Sequence, residues 1–390
     1  MLVTPQSPHI SVDGKPYLAF CSNDYLGLAS HPQMIAALQQ GVQQWGVGAG
    51  AAHLVSGHFE PHHRLEESLA AFVGKPAALL FSTGYMANLG AVQALVGKGD
   101  TVFADKLNHS SLNDAMLLSR AAVRRYRHND MKQLARLLEG SESGRRLVIT
   151  DAVFSMDGDI APLPEMLALC EQYDAWLLVD DAHGFGVLGK QGRGTLSHFG
   201  LDSPRIILMG TLGKAAGVFG AFVAAEQVVT DTLVNHARSY VYTTATPPAL
   251  SVVLLHSLQL IEQGDDRREH LGRLVTRLRK GSEDLPWQLM PSDTAIQPLL
   301  VGDNQQALRM SESLRDHGIW VAAIRPPTVP QGTARLRITL SAAHTNDDVD
   351  RLLGALHELA RESSGRAAIC SSPLTSGEGN VQGGKTRIRT

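Results

Sequence analysis

Five short apolar runs separated by helical patterns are the feature that most limits how this chain can fold. Their length and residue types are typical of buried strands. The runs are AALLFS (77–82), DTVFAD (100–105), RRLVIT (145–150), AWLLVDD (175–181) and RIILMG (205–210), with helical patterns between them at 87–96, 111–120, 131–140 and 163–173. This alternation predicts an α/β fold with a mostly parallel, doubly wound central sheet.

A smaller C-terminal α/β domain is predicted after the sheet, from about Pro248. Helical patterns lie near 249–263, 265–281, 304–317 and 346–361, and strands are expected near 295–301 and 334–340. The end of the chain is rich in Ser, Gly and Thr and poor in large apolar residues, which predicts a disordered tail. The expected division is an N-terminal segment (1–30), a large domain (31–247), a small domain (248–362) and the tail (363–390).

Composition excludes several classes of protein. The net charge of −3 gives no argument for a partner such as nucleic acid or a membrane surface. Three cysteines without close spacing disfavour a disulfide framework and a cysteine zinc site, and they fit a reducing cytoplasm. The first residues lack the pattern of a signal peptide, and no apolar run reaches the roughly 18 residues of a membrane span.

Polar side chains follow the predicted strands at the edge where open α/β sheets bind their ligands. They are His109, Ser155, Asp180, His183, Thr211 and Lys214. Lys214 lies in TLGKAAGVFG (211–220), among small and apolar residues that do not favour a lysine unless its amine is used. A helix starts at Gly84-Tyr85, where free backbone N–H groups would form an anion site.

Pyridoxal 5'-phosphate (PLP) is the cofactor that needs all of these groups. A lysine amine holds its aldehyde as a Schiff base, and a carboxylate keeps its pyridine nitrogen protonated. A helix N-terminus and hydroxyl groups suit its phosphate, and an imidazole can cover the ring. The sequence therefore predicts a PLP site, with Lys214 bound to the aldehyde.

The chain resembles the α-oxoamine synthases, PLP-dependent transferases of the aspartate-aminotransferase-like fold (fold type I). The matching segments run from about residue 17 to 360. They are SNDYLGL (22–28), HHRLEESLA (62–70), STGYMANLGAV (82–92), DKLNHSSLNDA (105–115), FSMDGDIAPL (154–163), LLVDDAHGFGVLGKQGRG (177–194), TLGKA (211–215) and AIRPPTVPQGTARLRITLSAAHT (323–345). VDDAHG and AIRPPTVP together are quite specific, whereas TLGK alone is weak.

The resemblance implies a role for each cofactor-binding residue. Lys214 would bind the aldehyde and then shuttle the substrate Cα proton, and Asp180 would pair with the pyridinium nitrogen. His183 and Ser155 would hydrogen-bond the phenolic oxygen of the ring, and His109 would stack on the ring face. The phosphate region would be held by Gly84, Tyr85 and Thr211.

The resemblance also implies the substrates and the assembly. Asn23, His109 and Arg325 would meet the substrate, with Arg325 paired to a carboxylate, and Thr328 would line the entry of the acyl substrate. The implied reaction joins L-alanine to a pimeloyl thioester of coenzyme A or acyl carrier protein, with loss of CO2, in biotin synthesis. Family members are homodimers with the site at the subunit interface, and Tyr242-Thr243-Thr244 would be the partner's contribution. Family members usually carry a further N-terminal helix with a substrate-binding arginine, which this sequence does not include, so either the start is shortened or another residue fills that role.

Other interpretations of the sequence are possible. A non-catalytic binding protein of the cofactor fold is one, and the intact lysine, aspartate and histidines argue against it. A sister reaction would join glycine to acetyl-CoA, as in 2-amino-3-ketobutyrate ligase, and sequence alone does not show the acyl pocket. The segment 184–189 matches G-x-G-x-x-G, but no helical pattern opens there, so NAD binding is rejected. His62-His63 suggest a metal site, yet no third ligand lies at a sensible spacing, so a helix start is preferred and no metal is expected.

Overall fold

The computed structural model of the protein describes residues 1–141 and 144–370, with side chains to residue 362. None of the helices in this part of the chain is long and apolar enough to cross a membrane. The predicted tail, 363–390, overlaps the end of the last helix, and 371–390 lie outside the described residues. The predicted domain division stays a prediction.

The large sheet has seven strands. They are β3 (Ala77–Phe81), β4 (Thr101–Asp105), β5 (Ala122–Tyr126), β6 (Arg146–Asp151), β7 (Trp176–Asp180), β8 (Ile206–Thr211) and β9 (Ala221–Ala225), in the spatial order β3-β9-β8-β7-β6-β4-β5. β9 runs antiparallel to both of its neighbours, and the other strands share one direction. The predicted mostly parallel sheet is confirmed.

The central strands are apolar on both faces because helices cover both sides of the sheet. Val148, Ile149, Leu177 and Leu178 are fully buried although they alternate between the two faces. The helices around this sheet are α2 (Glu60–Val73), α3 (Gly84–Leu95), α4 (Ser110–Ser119), α5 (Met131–Glu139), α6 (Leu163–Gln172), α7 (Thr195–Phe199), α8 (Gln227–His236) and α9 (Arg238–Val241).

The N-terminal residues and the C-terminal third of the chain form two smaller sheets with five helices. Strands β1 (His9–Val12), β2 (Lys15–Ala19) and β12 (Ile319–Trp320) form one small sheet, and β10 (Gln288–Leu289), β11 (Ile296–Gly302), β13 (Ala322–Ile324) and β14 (Ala334–Thr339) form another. The helices here are α1 (Pro32–Trp45), α10 (Pro248–Glu262), α11 (Asp265–Gly281), α12 (Asn304–Asp316) and α13 (Asn346–Cys370). The predicted smaller C-terminal α/β region is present.

Candidate active site

The strand ends bring the predicted polar residues to one edge of the large sheet. Asp151 and Asp180 end the adjacent parallel strands β6 and β7 and are paired in register. Thr211 ends β8, the next strand, and Lys214 follows three residues later. Because parallel strands end at the same edge, residues that are far apart in sequence meet there.

A chain of three side chains runs through the centre of the site. The Lys214 amine Nζ lies 2.9 Å from His183 Nε2, and the other ring nitrogen of His183, Nδ1, lies 2.5 Å from the Tyr25 hydroxyl. Tyr25 is 1% exposed, so its hydroxyl cannot turn to water. Tyr25 was not predicted as a site residue from the sequence, although it lies inside the SNDYLGL motif. His183 is therefore held between the lysine and a buried phenol.

The surroundings of Lys214 lower the pKa of its amine. Burial lowers the pKa of Lys214 to about 8, and the guanidinium of Arg337 acts in the same direction. The carboxylates of Asp180 and Asp151 oppose this shift because they stabilise the ammonium form. Burial, together with the charges of Lys214 and Arg337, lowers the pKa of His183 well below its ordinary value. At neutral pH the imidazole is uncharged, and part of the lysine population is a free base.

A second chain of hydrogen bonds fixes Asp180 and His109. The Asn88 amide Nδ2 donates to Asp180 Oδ2 at 2.8 Å and to Ser111 Oγ at 2.9 Å. Ser111 Oγ in turn lies 2.8 Å from His109 Nδ1. The other oxygen of Asp180, Oδ1, accepts the N–H of Ala182 at 3.0 Å. The carboxylate and the imidazole are thus positioned by one buried asparagine, which the sequence analysis also missed.

Two buried carboxyl groups lie close together at this edge. Burial raises the pKa of Asp151 well above its ordinary value, and the charge of Asp180 adds to the shift. Asp151 Oδ2 accepts the backbone N–H of His109 at 2.7 Å, which fixes the start of α4. Burial lowers the pKa of His109, against the opposing charge of Asp180. The ring of His109 is therefore neutral near pH 7.

The start of α3 lies against the end of β8. Thr83 caps the helix by accepting the Met86 N–H at 3.2 Å. A Cβ atom added to Gly84 would meet Met209 at 3.6 Å and Thr211 at 4.0 Å, so the helix N-terminus and Thr211 are neighbours. The Tyr85 hydroxyl donates to Asp114, and the ring is 41% exposed. This corner combines free helix N–H groups with a hydroxyl, which is the donor set that a phosphate needs.

Arg337 on β14 is a buried cation that was not predicted as a site residue from the sequence. Its Nε donates to the Ser155 carbonyl at 2.6 Å, its Nη1 to Thr339 Oγ1 at 3.0 Å and its Nη2 to Asn23 Oδ1 at 3.3 Å. It lowers the pKa values of both Lys214 and His183, so its charge is felt in the site. The signal in the sequence was the strand ARLRIT, in which two arginines alternate with apolar residues and all six side chains are buried. Arg335 pairs with Asp157, which leaves Arg337 as the arginine that points to a site.

Other predicted site residues lie apart from this group. Arg325 and Thr328 are exposed, and within residues 1–141 and 144–370 neither side chain has a hydrogen bond to the Lys214 group. Ser155 is half-buried and contributes its carbonyl to Arg337, while Asn23 accepts from the same guanidinium. Tyr242 is 73% exposed. The roles assigned to these residues stay predictions.

The segment 184–189 is a packed loop that has no dinucleotide-binding helix. A Cβ atom at Gly184 would lie 2.1 Å from Asp181 Oδ1, and Gly186, with φ +82°, packs on Ala215. Asp181 accepts hydrogen bonds from the backbone N–H of Thr195 at 2.8 Å and from its hydroxyl at 2.5 Å. These glycines therefore serve close packing beside Lys214.

Comparison with known proteins identifies the family. Residues 15–356 match the model of aminotransferase class I and II. The 8-amino-7-oxononanoate synthase of Nitrosospira multiformis is 65% identical over 361 residues, which is 93% of this chain and 91% of the relative. That of Nitrosomonas europaea is 62% identical, covering 93% of this chain and 94% of the relative.

Solved structures agree with this assignment. A structure described as SPT with PLP has a TM-score of 0.89 at 32% identity and covers 93% of each chain. The 8-amino-7-oxononanoate synthase of Francisella tularensis has a TM-score of 0.78 at 30% identity, over 89% of this chain and 99% of that one. The fold is therefore the type I PLP-transferase fold.

Proposed function

The chain belongs to the aminotransferase class I and II family, among its 8-amino-7-oxononanoate synthases, and we propose the reaction in which it acts. L-Alanine condenses with a pimeloyl thioester of coenzyme A or acyl carrier protein, giving 8-amino-7-oxononanoate, CO2 and the free thiol carrier. The enzyme is a PLP-dependent acyltransferase of biotin synthesis. The observation that carries this proposal is the Lys214 amine 2.9 Å from a buried histidine, in a chain 65% identical to a relative of that name.

The residues at the sheet edge have the chemistry to hold PLP. Lys214 is available for the aldehyde, Asp180 for the pyridine nitrogen and His109 for the ring face. The phosphate fits the start of α3, at Gly84, and Thr211. Asn88 supports the fit, because it is buried and its Oδ1 has no hydrogen-bond partner in the described chain. When bound, the cofactor supplies an electron sink for negative charge at the amino-acid Cα.

Lys214 moves the proton in this reaction. Its pKa of about 8 leaves a fraction of the amine unprotonated at neutral pH, so Nζ can take the Cα proton of L-alanine. A general base with a pKa near the working pH accepts and returns a proton efficiently. The Cα carbon of L-alanine is then free to attack the thioester carbonyl.

Tyr25 positions His183. The Tyr25 hydroxyl lies 2.5 Å from Nδ1 and also donates to Asn23 Oδ1 at 3.3 Å, so the phenol is fixed between the two side chains. This bond sets the orientation of the imidazole and turns its other nitrogen, Nε2, toward Lys214.

Arg337 is the residue that we propose for the L-alanine carboxylate. A guanidinium has five N–H donors, and three of them are engaged with Ser155, Thr339 and Asn23. The Tyr25 hydroxyl takes a further hydrogen bond from this side chain, and the donor that remains carries a charge that suits a carboxylate. Arg325, expected from the sequence to fill this role, is exposed and has no such anchoring bonds among the described residues.

We further propose a homodimer in which the partner completes the site. One face of α1 and the following loop exposes apolar side chains: Ile35, Leu38, Val42, Val47, Leu54 and Val55. Exposed apolar side chains grouped on one helix face are typical of an interface. Tyr242 and Thr244 are exposed, so each can contact the phosphate-binding region of a second subunit. We also propose that the enzyme is cytoplasmic, which fits its low cysteine content.

The test is a crossed assay of the purified holoenzyme. L-Alanine, glycine and L-serine are each combined with pimeloyl-CoA, acetyl-CoA and palmitoyl-CoA, and free thiol and CO2 are measured. We expect L-alanine with pimeloyl-CoA to give a kcat/KM at least about 100-fold above every other pair, which corresponds to about 3 kcal/mol of transition-state discrimination. A preference for glycine with acetyl-CoA would replace this proposal by the sister reaction.

A further inference from the structure

A cluster of histidines surrounds the start of α2, away from the site described above. His53, His58, His62 and His63 lie with the carboxylate of Glu66 around one turn of helix. One ligand atom each from His58, His63 and Glu66 lies within 4.8 Å of the other two, and the same holds for His53, His58 and His62. Two overlapping sets of three ligands are thus available, and their hydrogen bonds distinguish them.

Both ring nitrogens of His62 already form hydrogen bonds with the backbone. Its Nδ1 accepts the backbone N–H of Phe59 at 3.0 Å, and its Nε2 lies 2.8 Å from the Thr246 carbonyl. A metal bound to either nitrogen would break one of these bonds. The set that contains His62 is therefore disfavoured.

His58 is oriented by His53. The two Nδ1 atoms are 2.9 Å apart, so one ring donates to the other. When His58 donates from Nδ1, its lone pair is on Nε2, which faces Glu66 Oε2 at 3.9 Å. His53 is itself held by stacking on the Tyr240 ring, with centroids 5.0 Å apart and an interplanar angle of 11°. This is the arrangement in which a neighbour of a ligating histidine fixes its tautomer.

Glu66 offers one carboxylate oxygen for an additional partner. It is 9% exposed, and its Oε1 accepts the Leu80 N–H at 2.9 Å. Among the described residues, Oε2 has no hydrogen bond, because His58 Nε2 at 3.9 Å is too far away. Glu66 also lines an open groove, so this oxygen is available to an additional ligand.

We propose that His58, His63 and Glu66 form a binding site for a divalent transition metal, with Zn²⁺ as the preferred ion. Two imidazoles and one carboxylate are a ligand set that zinc accepts, with a fourth position open to water. Ligand bonds of about 2.0–2.2 Å need a nitrogen-to-oxygen separation of about 3.4 Å in tetrahedral geometry, so His58 and Glu66 need to approach by only about half an ångström.

An open groove gives the ion a path to the site. It has a volume of about 490 Å³ and is lined by His63, Glu66, Glu67 and Lys75, with Asp231 on the facing helix α8. His63 is exposed on this side, where its Nε2 lies 3.3 Å from Glu67 Oε1. Its ring can exchange this weak surface pair for the metal without disturbing the helix. The acidic residues of the groove favour entry of a cation.

The experiment titrates the holoenzyme with Zn²⁺ against a competing chromophoric chelator, and repeats the measurement with Co²⁺ to observe its visible absorption bands. We expect one Zn²⁺ per chain and an intense, tetrahedral Co²⁺ spectrum. His63→Gln and Glu66→Gln should each weaken binding at least tenfold. His9→Gln, which removes an exposed histidine on β1, is the matched control and should leave the affinity unchanged.

His63→Gln alters an exposed side chain, so its effect on binding is separate from any effect on folding. Circular dichroism and the thermal midpoint of each metal-free variant verify that the fold is retained. Absence of stoichiometric Zn²⁺ binding by the wild-type enzyme would overturn the proposal. Binding that persists unchanged in His63→Gln and Glu66→Gln would also overturn it, because the ion would then lie elsewhere.

Discussion

Lys214 is the side chain on which the chemistry depends. Lys214→Ala should lower turnover by more than about 1,000-fold, because one amine both binds the cofactor aldehyde and moves the Cα proton, and the substitution removes both functions. The fold should persist, since the lysine is half-buried and its neighbours are small. Borohydride reduction of the wild-type holoenzyme, followed by peptide mapping, should find the cofactor on Lys214. A label on another lysine would contradict the assignment.

Tyr25 acts through His183, so its loss should change the enzyme in a specific way. Tyr25→Phe keeps the buried ring and removes only the hydroxyl that lies 2.5 Å from His183 Nδ1. We expect kcat to fall by about tenfold, with little change in KM for L-alanine, because orientation rather than binding is lost. The absorption band of the bound cofactor and the pH profile of kcat should both shift.

A purely structural role for Tyr25 would leave the spectrum and the pH profile as they are. The matched control is Tyr17→Phe, which removes the hydroxyl of a tyrosine on β2 that packs on Trp320. Tyr17→Phe should have the wild-type spectrum and kcat. If both variants behave alike, Tyr25 has no positioning function.

Two arginines compete for the substrate carboxylate, and a matched pair of variants separates them. Arg337→Lys keeps the positive charge but loses the fork and its bond to the Ser155 carbonyl. We expect the dissociation constant of L-alanine to rise by about 10- to 100-fold, which is about 1–3 kcal/mol. The sequence-based hypothesis expects this loss in Arg325→Lys instead. Titration followed through the cofactor spectrum decides between them.

At the scale of elements, the turns that follow the strands position the site residues. One of these turns is fixed by a charged histidine, His128. His128 follows β5, with Nε2 at 2.8 Å from Asp159 and Nδ1 at 3.2 Å from Asp105. Burial acts to lower the pKa of His128, but the two carboxylates outweigh it and raise the pKa to about 10. The imidazolium links the end of β4 to the turn that carries Ser155.

This link predicts how stability depends on pH. A histidine with a folded pKa above its unfolded value of about 6.5 stabilises fully below pH 6.5, and the contribution declines until it is lost near pH 10. His128→Gln should therefore cost about 2 kcal/mol of unfolding free energy at pH 6 and progressively less toward pH 10. Denaturant unfolding at several pH values measures this difference. A constant difference across the range would show that the pKa of His128 is not raised in the folded protein.

The same scale shows where sequence patterns were sufficient. The five apolar runs became five strands of the large sheet, because strands buried on both faces must be apolar throughout. Two further strands were not predicted. β5 contains Arg124 and Arg125 because it lies at the sheet edge, and β9, AFVAA, has no alternation to distinguish it from the small residues around Lys214. Edge exposure and small side chains weaken the periodic signal.

The site was predictable where it follows from strand ends, and less so where it depends on packing between distant segments. Asp180, His183 and Lys214 were found because each follows a strand. Tyr25 and Arg337 enter from the two ends of the chain, and no local pattern places them beside Lys214. Their contribution becomes visible only once β14 and the N-terminal segment pack over the sheet edge.

At the scale of the whole molecule, the apolar face of α1 is an exposed surface that the single chain does not explain. Met34, Ile35, Leu38 and Val42 recur at helical spacing along α1, a pattern that implies one buried side. In the chain alone only Met34 is buried, and Ile35, Leu38 and Val42 are 51%, 39% and 37% exposed. The helix has thus turned much of its apolar stripe outward, where a second subunit can cover it.

Disrupting this face should therefore remove both the dimer and the activity. Leu38→Asp places a charge at the centre of the stripe, and desolvating that charge in an interface would cost several kcal/mol. We expect a monomer by light scattering and turnover lowered by more than about tenfold, because Tyr242 and Thr244 could no longer reach a neighbouring site. Val228→Asp is the matched control, since Val228 is 66% exposed on α8, outside this surface, and it should stay dimeric and active. A Leu38→Asp enzyme that is monomeric and fully active would show that each chain completes its own site, and one that stays dimeric would move the interface away from α1.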